Sequence, residues 1–201
     1  MDILYFIELA GIISFALSGF LISIKHNLDL LGIFLISFLT ALGGGIIRDS
    51  IVGRIPYAFV DETLFILVFV TVIISIIFKL HKKENLDRKM LFVFSDSLGL
   101  VSFSISGALI GIEFGVNYFG VVMLSFITAI GGGIIRDVLI NHIPLVLTKD
   151  FYGIVSIIVA TLVYGLHLLD MLNGINILVV FSIGLGLRVL SIKYSWRLPK
   201  L

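Results

Sequence analysis

The sequence predicts an all-α, polytopic membrane protein with two related three-helix halves and one further helix. Three observations carry this prediction. The 201-residue chain is 59% hydrophobic and only 13% charged, whereas a soluble domain is about 45–50% apolar and about 25% charged. Its apolar segments are about 20 residues long, the length that crosses a bilayer as a helix. Finally, the chain matches itself when it is shifted by 88 positions.

The apolar segments predict seven membrane spans. They do not alternate with a period of two, as the strands of a membrane barrel would, so helices are the spanning elements. The first segment lacks a basic start and is long enough to span, which argues against a cleavable signal peptide. The predicted spans 1 to 7 are Ile3–Ile24, Asp29–Gly53, Thr63–Leu80, Met90–Ile112, Asn117–Ile140, Phe151–Leu169 and Gly174–Ile192.

The connections between the spans predict an orientation in the cell membrane. Because basic connections stay in the cytoplasm, their distribution places the N-terminus outside and the C-terminus in the cytoplasm. The basic run 79–89 is interpreted as a topology signal, with binding of anionic lipids as a second role. The cytoplasmic side receives Lys25, Lys79, Lys82, Lys83, Arg88, Lys89, Lys149, Lys193, Arg197 and Lys200, and the outer side receives Arg54, Asp61, Glu62, Glu113 and Asp170.

The self-match defines an internal repeat inside one membrane domain, residues 1–201. The first repeat covers residues 3–80 and the second covers 90–169, while the segment 174–192 lies outside and is interpreted as an addition for packing or assembly. Each repeat has an odd number of spans, so the second copy enters the membrane from the opposite side. Inverted repeats of this kind place binding sites near the midplane, on interrupted helices.

The motif GGGIIRD occurs in both repeats, at Gly43–Asp49 and Gly131–Asp137. Each glycine is about 1 kcal/mol worse than alanine inside a helix, so three together predict a kink or a break. The carbonyl groups freed at a break would suit a cation. Close packing between helices is the alternative interpretation, and the two are compatible. The glycines concerned are Gly43, Gly44, Gly45, Gly131, Gly132 and Gly133.

Hydroxyl side chains continue the same helical faces. Polar residues facing lipid are costly, so these faces are expected to meet protein or water. They predict a pathway enclosed by spans 1, 2, 4 and 5, although for any single serine ordinary helix packing is the alternative. The hydroxyl residues of the predicted pathway are Ser14, Ser18, Ser37, Thr40, Ser102, Ser106, Ser125 and Thr128.

Buried charges are expected to form pairs. Depth in the membrane predicts that Glu8 neighbours Arg48 and that Asp96 neighbours Arg136. Adjacent residues on a helix do not face each other, so Asp49 and Asp137 are expected to point to another helix and bond a serine such as Ser97. This network either gates or shields a cation path, or it only fixes the repeat interface. Arg188 is expected to snorkel towards the membrane surface.

The sequence contains no motif that points to an enzyme. It has no cysteine, and its four histidines, His26, His81, His142 and His167, lack the spacing of metal ligands. It also lacks a phosphate-binding loop and a nucleophile elbow. No cofactor, no metal beyond transiently bound K⁺ and no nucleic-acid partner is expected.

From Ile3 to about Ile192, the doubled GGGIIRD motif and the repeats resemble the prokaryotic branch of the trimeric intracellular cation (TRIC) channel family. The resemblance implies a homotrimer in the cell membrane, among membrane lipids, with one pore in each protomer. It implies a pore between spans 1, 2, 4 and 5 that conducts monovalent cations. The chief permeant ion would be K⁺, with Na⁺ as a further candidate. Kinks at the glycine motifs would shape and gate the pore, with Arg48, Asp49, Arg136 and Asp137 alongside.

Animal members of the TRIC family carry a Lys-Glu-Val motif in place of part of one glycine motif. This chain has three glycines at both positions, so a bacterial or archaeal plasma membrane is the expected location. Related bacterial proteins with the same repeats are described as small amino-acid transporters. A carrier for a small zwitterion such as glycine is therefore the alternative function, with opposed helix breaks offering amides to its carboxylate and carbonyls to its amine.

Overall fold

A computed structural model describes residues 2–82, 85–148 and 151–196. These residues form eight α-helices, two short 3-10 turns at Tyr57–Phe59 and Leu80–Lys82, and, within the described ranges, no β-strand. The helices are α1 (Asp2–Lys25), α2 (Leu30–Ile51), α3 (Glu62–Ile77), α4 (Asn85–Glu113), α5 (Tyr118–Leu139), α6 (Leu145–Thr148), α7 (Tyr152–Leu168) and α8 (Gly174–Lys193). The all-α class predicted from the sequence is confirmed.

In the described part of the chain, five helices are long and apolar enough to cross a membrane: α1, α2, α4, α5 and α8. Helices α3 and α7 are also apolar but shorter, with 16 and 17 residues. The sequence did not predict the short helix α6, nor that α4 would begin before Met90. Four of the basic residues that predict the orientation lie outside the described residues: Lys83, Lys149, Arg197 and Lys200.

The starts of α2 and α5 are fixed by equivalent capping residues. The side chain of Asp29 accepts a hydrogen bond from the backbone N–H of Gly32 at 2.7 Å, and Asn117 accepts one from Gly120 at 2.9 Å. Such caps satisfy backbone donors that have no partner inside the helix. The two repeats therefore begin their glycine-containing helices in the same way.

The core consists of α1, α2, α4 and α5, with α3 packed on α1 and α2 and with α7 packed on α4 and α5. Between α1 and α4, the rings of Phe15 and Phe103 stack with centroids 5.3 Å apart. Helix α8 packs on α4 and α7 and leaves an apolar surface that includes Ile175 and Val179 exposed. Such a surface suits lipid or another subunit.

Both glycine motifs lie inside uninterrupted α-helices, so of the predicted kink or break, the break is wrong. A methyl group on Gly44 would overlap the backbone carbonyl of Thr128, and one on Gly132 would overlap that of Thr40. The glycines let α2 and α5 approach backbone to backbone, which is the packing interpretation. The helical hydrogen bonds persist because a broken turn at this depth would leave backbone groups without partners.

Candidate functional site

The first cluster of buried charges surrounds Arg48, near the end of α2. Its Nη1 atom donates to Glu8 Oε1 at 2.9 Å and also to Ser106 Oγ, and its Nε atom donates to Asp49 Oδ1 at 2.7 Å. Arg48 and Asp49 are each only 1% exposed. The predicted contact between Glu8 and Arg48 is present, and a buried cation is matched by two carboxylates, as its burial requires.

The second cluster surrounds Arg136, near the end of α5. Its Nη1 atom donates to Asp96 Oδ1 and to Ser18 Oγ, both at 2.6 Å, and its Nε atom donates to Asp137 Oδ1 at 2.8 Å. Arg136 is fully buried. The predicted contact between Asp96 and Arg136 is therefore also present, and the second cluster repeats the first.

Each arginine also bonds a serine of the other repeat, which the sequence analysis missed. Arg48 of the first repeat reaches Ser106 of the second, and Arg136 of the second reaches Ser18 of the first. Both serines were predicted only as lining of a pathway. The repeat could have predicted these bonds, because Ser18 and Ser106 are separated by the same 88 positions as the two arginines. These bonds hold the two repeats together at two places.

The expected partners of Asp49 and Asp137 were wrong. Besides the preceding arginine, Asp49 Oδ2 accepts a hydrogen bond from the backbone N–H of Tyr57, and Asp137 Oδ2 accepts one from Leu145, both at 2.8 Å. Ser97 instead donates to a carbonyl of its own helix. The arginine side chain is long enough to turn back to the adjacent carboxylate. The carboxylate then fastens the segment that follows the helix.

Arg54 adds a third bond to Asp49 in the first cluster. Its Nη2 atom donates to Asp49 Oδ1 at 2.8 Å, although the Arg54 side chain is itself 29% exposed. At the second cluster the equivalent position, 88 residues later, is His142. The formal charges of Glu8, Arg48, Asp49 and Arg54 therefore cancel in the first cluster. In the second cluster, the net negative charge of Asp96, Arg136 and Asp137 is offset by a buried cation from α8, Arg188.

Four of the eight hydroxyls of the predicted pathway are satisfied by helix carbonyls. Ser37, Thr40 and Thr128 each donate to the carbonyl four residues earlier, at 2.6–2.7 Å. Ser125 donates to the Ser104 carbonyl of α4 at 2.7 Å. For these side chains the geometry is that of ordinary helix packing. Ser14 is buried too, and Ser102 Oγ is buried with no hydrogen-bond partner among the described residues.

The space beside the two arginines is small. A cavity of about 10 Å³ adjoins Glu8, Gly45 and Arg48, which is room for about one water molecule. Beside Arg136 and Tyr152 the corresponding volume is about 0 Å³. Together with the backbone contact of α2 and α5, these volumes describe a conformation that is closed to a hydrated ion at both clusters.

Arg188 lies inside the protein, so the prediction that it snorkels was wrong. It is 6% exposed, and its guanidinium carbon lies 4.6 Å from the centre of the Tyr152 ring, a cation–π contact. Phe92 lies similarly against Arg136, at 5.0 Å. The contact of Tyr152 had no counterpart from which it could be predicted, because the equivalent residue of the first repeat is Leu64.

Comparison with known proteins decides the family. The UPF0126 membrane protein YvgT of Bacillus subtilis (strain 168) is 32% identical over 193 residues, which cover 96% of this chain and 94% of the relative. A family model described as "Glycine transporter" matches residues 5–80 and again 93–168. A crystal structure of a prokaryotic TRIC channel in 0.5 M KCl is 32% identical, covers 98% of both chains and superposes with a TM-score of 0.90.

The chain belongs to the family of the prokaryotic TRIC channels, which includes the UPF0126 membrane proteins. A second solved structure, described as the structural basis for conductance through TRIC cation channels, is also 32% identical. It covers 98% of this chain and 96% of its own, with a TM-score of 0.85. The resemblance that the doubled glycine motif indicated is thus confirmed, and the TRIC fold extends over nearly the whole chain.

Proposed function

We propose that this TRIC family member is a cation channel of the cell membrane. The observation that carries the proposal is the similarity to two solved TRIC channels, each 32% identical over 98% of the chain. One of those structures is described in terms of conductance. Channels bind and pass ions without covalent chemistry, which agrees with a site built from ion pairs and hydroxyls.

The proposed architecture has seven crossings, arranged as two inverted repeats and a seventh helix. Helices α1 to α3 form the first repeat, α4, α5 and α7 form the second, and α8 follows. The family model supports the repeat because its two matched segments begin 88 positions apart. Equivalent contacts at Arg48 and Arg136 support it as well. The proposal keeps the N-terminus outside and the C-terminus in the cytoplasm.

The proposed pathway runs between α1, α2, α4 and α5, with one charge cluster towards each end. An unpaired arginine would repel cations, but each of these arginines has two carboxylate partners. With the buried Arg188 beside Tyr152 counted, the second cluster is neutral like the first, so neither cluster presents a net positive charge to a cation. Since both clusters are closed, opening requires α1 and α4 to move relative to α2 and α5, which breaks the bonds of Arg48 and Arg136 to the serines.

We further propose a homotrimer with one pathway in each protomer, chiefly for K⁺, with Na⁺ as a second candidate. The exposed apolar faces of α3 and α8 are available to neighbouring subunits or to membrane lipids. No residue of the described pathway is presented to a neighbour, because the charge clusters are closed within one chain. A pore inside each protomer agrees with that enclosure.

Planar bilayer recording tests the channel. Purified protein is reconstituted and currents are measured under a KCl gradient, followed by replacement of KCl with NaCl on one side. We expect a reversal potential of cation sign, with a shift that gives the K⁺ to Na⁺ ratio. A reversal potential of zero, or of anion sign, would refute cation selectivity.

A carrier for a small amino acid such as glycine is the second candidate. The specific observation in its favour is the description of the matching family model as a glycine transporter. The uninterrupted helices weaken it, because the carrier hypothesis needed broken helices to offer amides and carbonyls. Saturable uptake of labelled glycine into proteoliposomes, without single-channel currents, would favour the carrier over the channel.

A further inference from the structure

Two histidines from different repeats meet at one end of the helix core. His26 lies in the turn after α1, and His142 lies in the segment after α5. Their ring centroids are 5.4 Å apart, with the rings nearly perpendicular at 84°. The Nε2 atom of His26 is buried and has no hydrogen-bond partner in the described part of the chain. The Nε2 atom of His26 therefore has an unused lone pair or N–H group close to the imidazole of His142.

The equivalent positions at the other end of the core also touch, but with different chemistry. A shift of 88 positions takes His26 to Phe114 and His142 to Arg54. There the guanidinium carbon of Arg54 lies 5.8 Å from the centre of the Phe114 ring. Packing at this location is therefore satisfied by an arginine and a phenylalanine, neither of which ligates a metal. The two imidazoles can ligate a metal ion, which the packing of the fold at this location does not require.

The separation of the two histidine rings matches that expected around a shared metal ion. Imidazole nitrogen is a good ligand for Zn²⁺, Cu²⁺ and Ni²⁺. A tetrahedral ion with Zn–N bonds of about 2.0–2.1 Å would hold two imidazole centroids about 5 Å apart. Partial burial, then His142 and Lys25, lower the pKa of His26 below its usual value.

We propose that His26 and His142 form a two-histidine site for a divalent transition-metal ion, which joins the two repeats at this end of the protein. Among the described residues, no third His, Cys, Asp or Glu completes a cluster. Water occupies the remaining coordination positions, which makes the site exchangeable rather than structural. A bound ion fixes the turn after α1 to the segment after α5.

Metal titration of the purified full-length chain, freed of any affinity tag, tests the site. Isothermal titration with Zn²⁺ is expected to show one saturable site per chain. Electron paramagnetic resonance of the Cu²⁺ form is expected to show coupling to imidazole nitrogen. Absence of a saturable site, or a Cu²⁺ spectrum without nitrogen coupling, would overturn the proposal. Neither measurement depends on whether the protein conducts ions.

Matched variants separate this site from diffuse binding. His26→Ala and His142→Ala should each weaken Zn²⁺ binding at least tenfold, whereas His81→Ala and His167→Ala should leave it unchanged. The double variant His26→Phe with His142→Arg copies the contact at the other end of the core, so it should fold normally and bind no metal. Retained binding in that double variant, or equal loss in the His81 and His167 variants, would contradict the proposal.

Discussion

The contact between α2 and α5 makes a sharp prediction for the middle glycine of each motif. In Gly44→Ala, the new methyl group would overlap the carbonyl oxygen of Thr128, and in Gly132→Ala it would overlap that of Thr40. The obstacle is backbone in both cases, so no side-chain rotation can relieve it. The two helices must move apart at their crossing, and the contact is lost along both.

The expected size follows from two opposing terms. Alanine gains about 1 kcal/mol over glycine in a helix interior, while overpacking of a close contact costs about 1–3 kcal/mol and occasionally more. Because a backbone carbonyl cannot yield, we expect the upper part of that range. The net loss is then about 2 kcal/mol for either variant, and less than twice that for the double variant, because both glycines lie at one crossing and are coupled.

Thermal unfolding of the purified protein in detergent measures this loss. For a chain of this size, 1 kcal/mol corresponds to about 2–4 °C in the unfolding midpoint, so each variant should unfold about 4–8 °C earlier. Gly186→Ala is the matched control, since a methyl group there has no atom within 4 Å. It should unfold at the wild-type temperature or slightly above it.

A second control lies in the motif itself. A methyl group on Gly45 would lie 3.8 Å from Arg48 Nη2, which is ordinary contact. Gly45→Ala should therefore be tolerated although Gly44→Ala is not. If Gly44→Ala and Gly132→Ala are as stable as Gly186→Ala, the glycines do not serve close packing. A uniform loss across all three motif positions would instead point to a need for helix flexibility.

Three further predictions concern the charge clusters and the turn after α1. Ser106→Ala removes a charged hydrogen bond worth about 1.5–3 kcal/mol; it should raise the open probability in bilayer recordings, and an unchanged value would argue that Arg48 is not part of the gate. Arg136→Gln leaves two buried carboxylates uncompensated, so it should cost about 3–5 kcal/mol by thermal unfolding, and adding Asp96→Asn should recover part of this loss. The lowered pKa of His26 means that the unfolded chain binds more protons, so stability should fall as the pH drops below 6.5; His26→Asn should flatten this part of the stability profile.

Sequence reasoning succeeded where the two repeats obey the same rules. The pairs of Arg48 with Glu8 and of Arg136 with Asp96 followed from matching depth in the membrane, and both are formed. The helical class and the family followed from apolar segment lengths and the doubled motif. These features depend on periodicity and on the high cost of an unpaired charge in lipid, which are readable from one sequence.

It failed where tertiary contact reverses a local preference. Three consecutive glycines have poor helix propensity, yet α2 continues through Gly43–Gly45 because α5 covers it. The rule that adjacent helical residues do not face each other also misled for Asp49 and Asp137. That rule holds for short side chains, but the arginine side chain is long enough to reach the carboxylate next to it. The segment after the helix also passes close to the carboxylate and donates a backbone N–H to it.

The remaining misses share a cause, which is departure from the repeat. Tyr152 takes the place of Leu64, and Arg188 belongs to the helix that has no counterpart, so neither had a partner from which its contact could be inferred. His142 likewise takes the place of Arg54, which removes one cation from the second cluster and leaves that end with an imidazole pair instead. The equivalent residues build the closed framework, and the unequal ones make its two ends chemically different. A core with two identical ends would present the same groups at both, whereas these substitutions give each end its own chemistry.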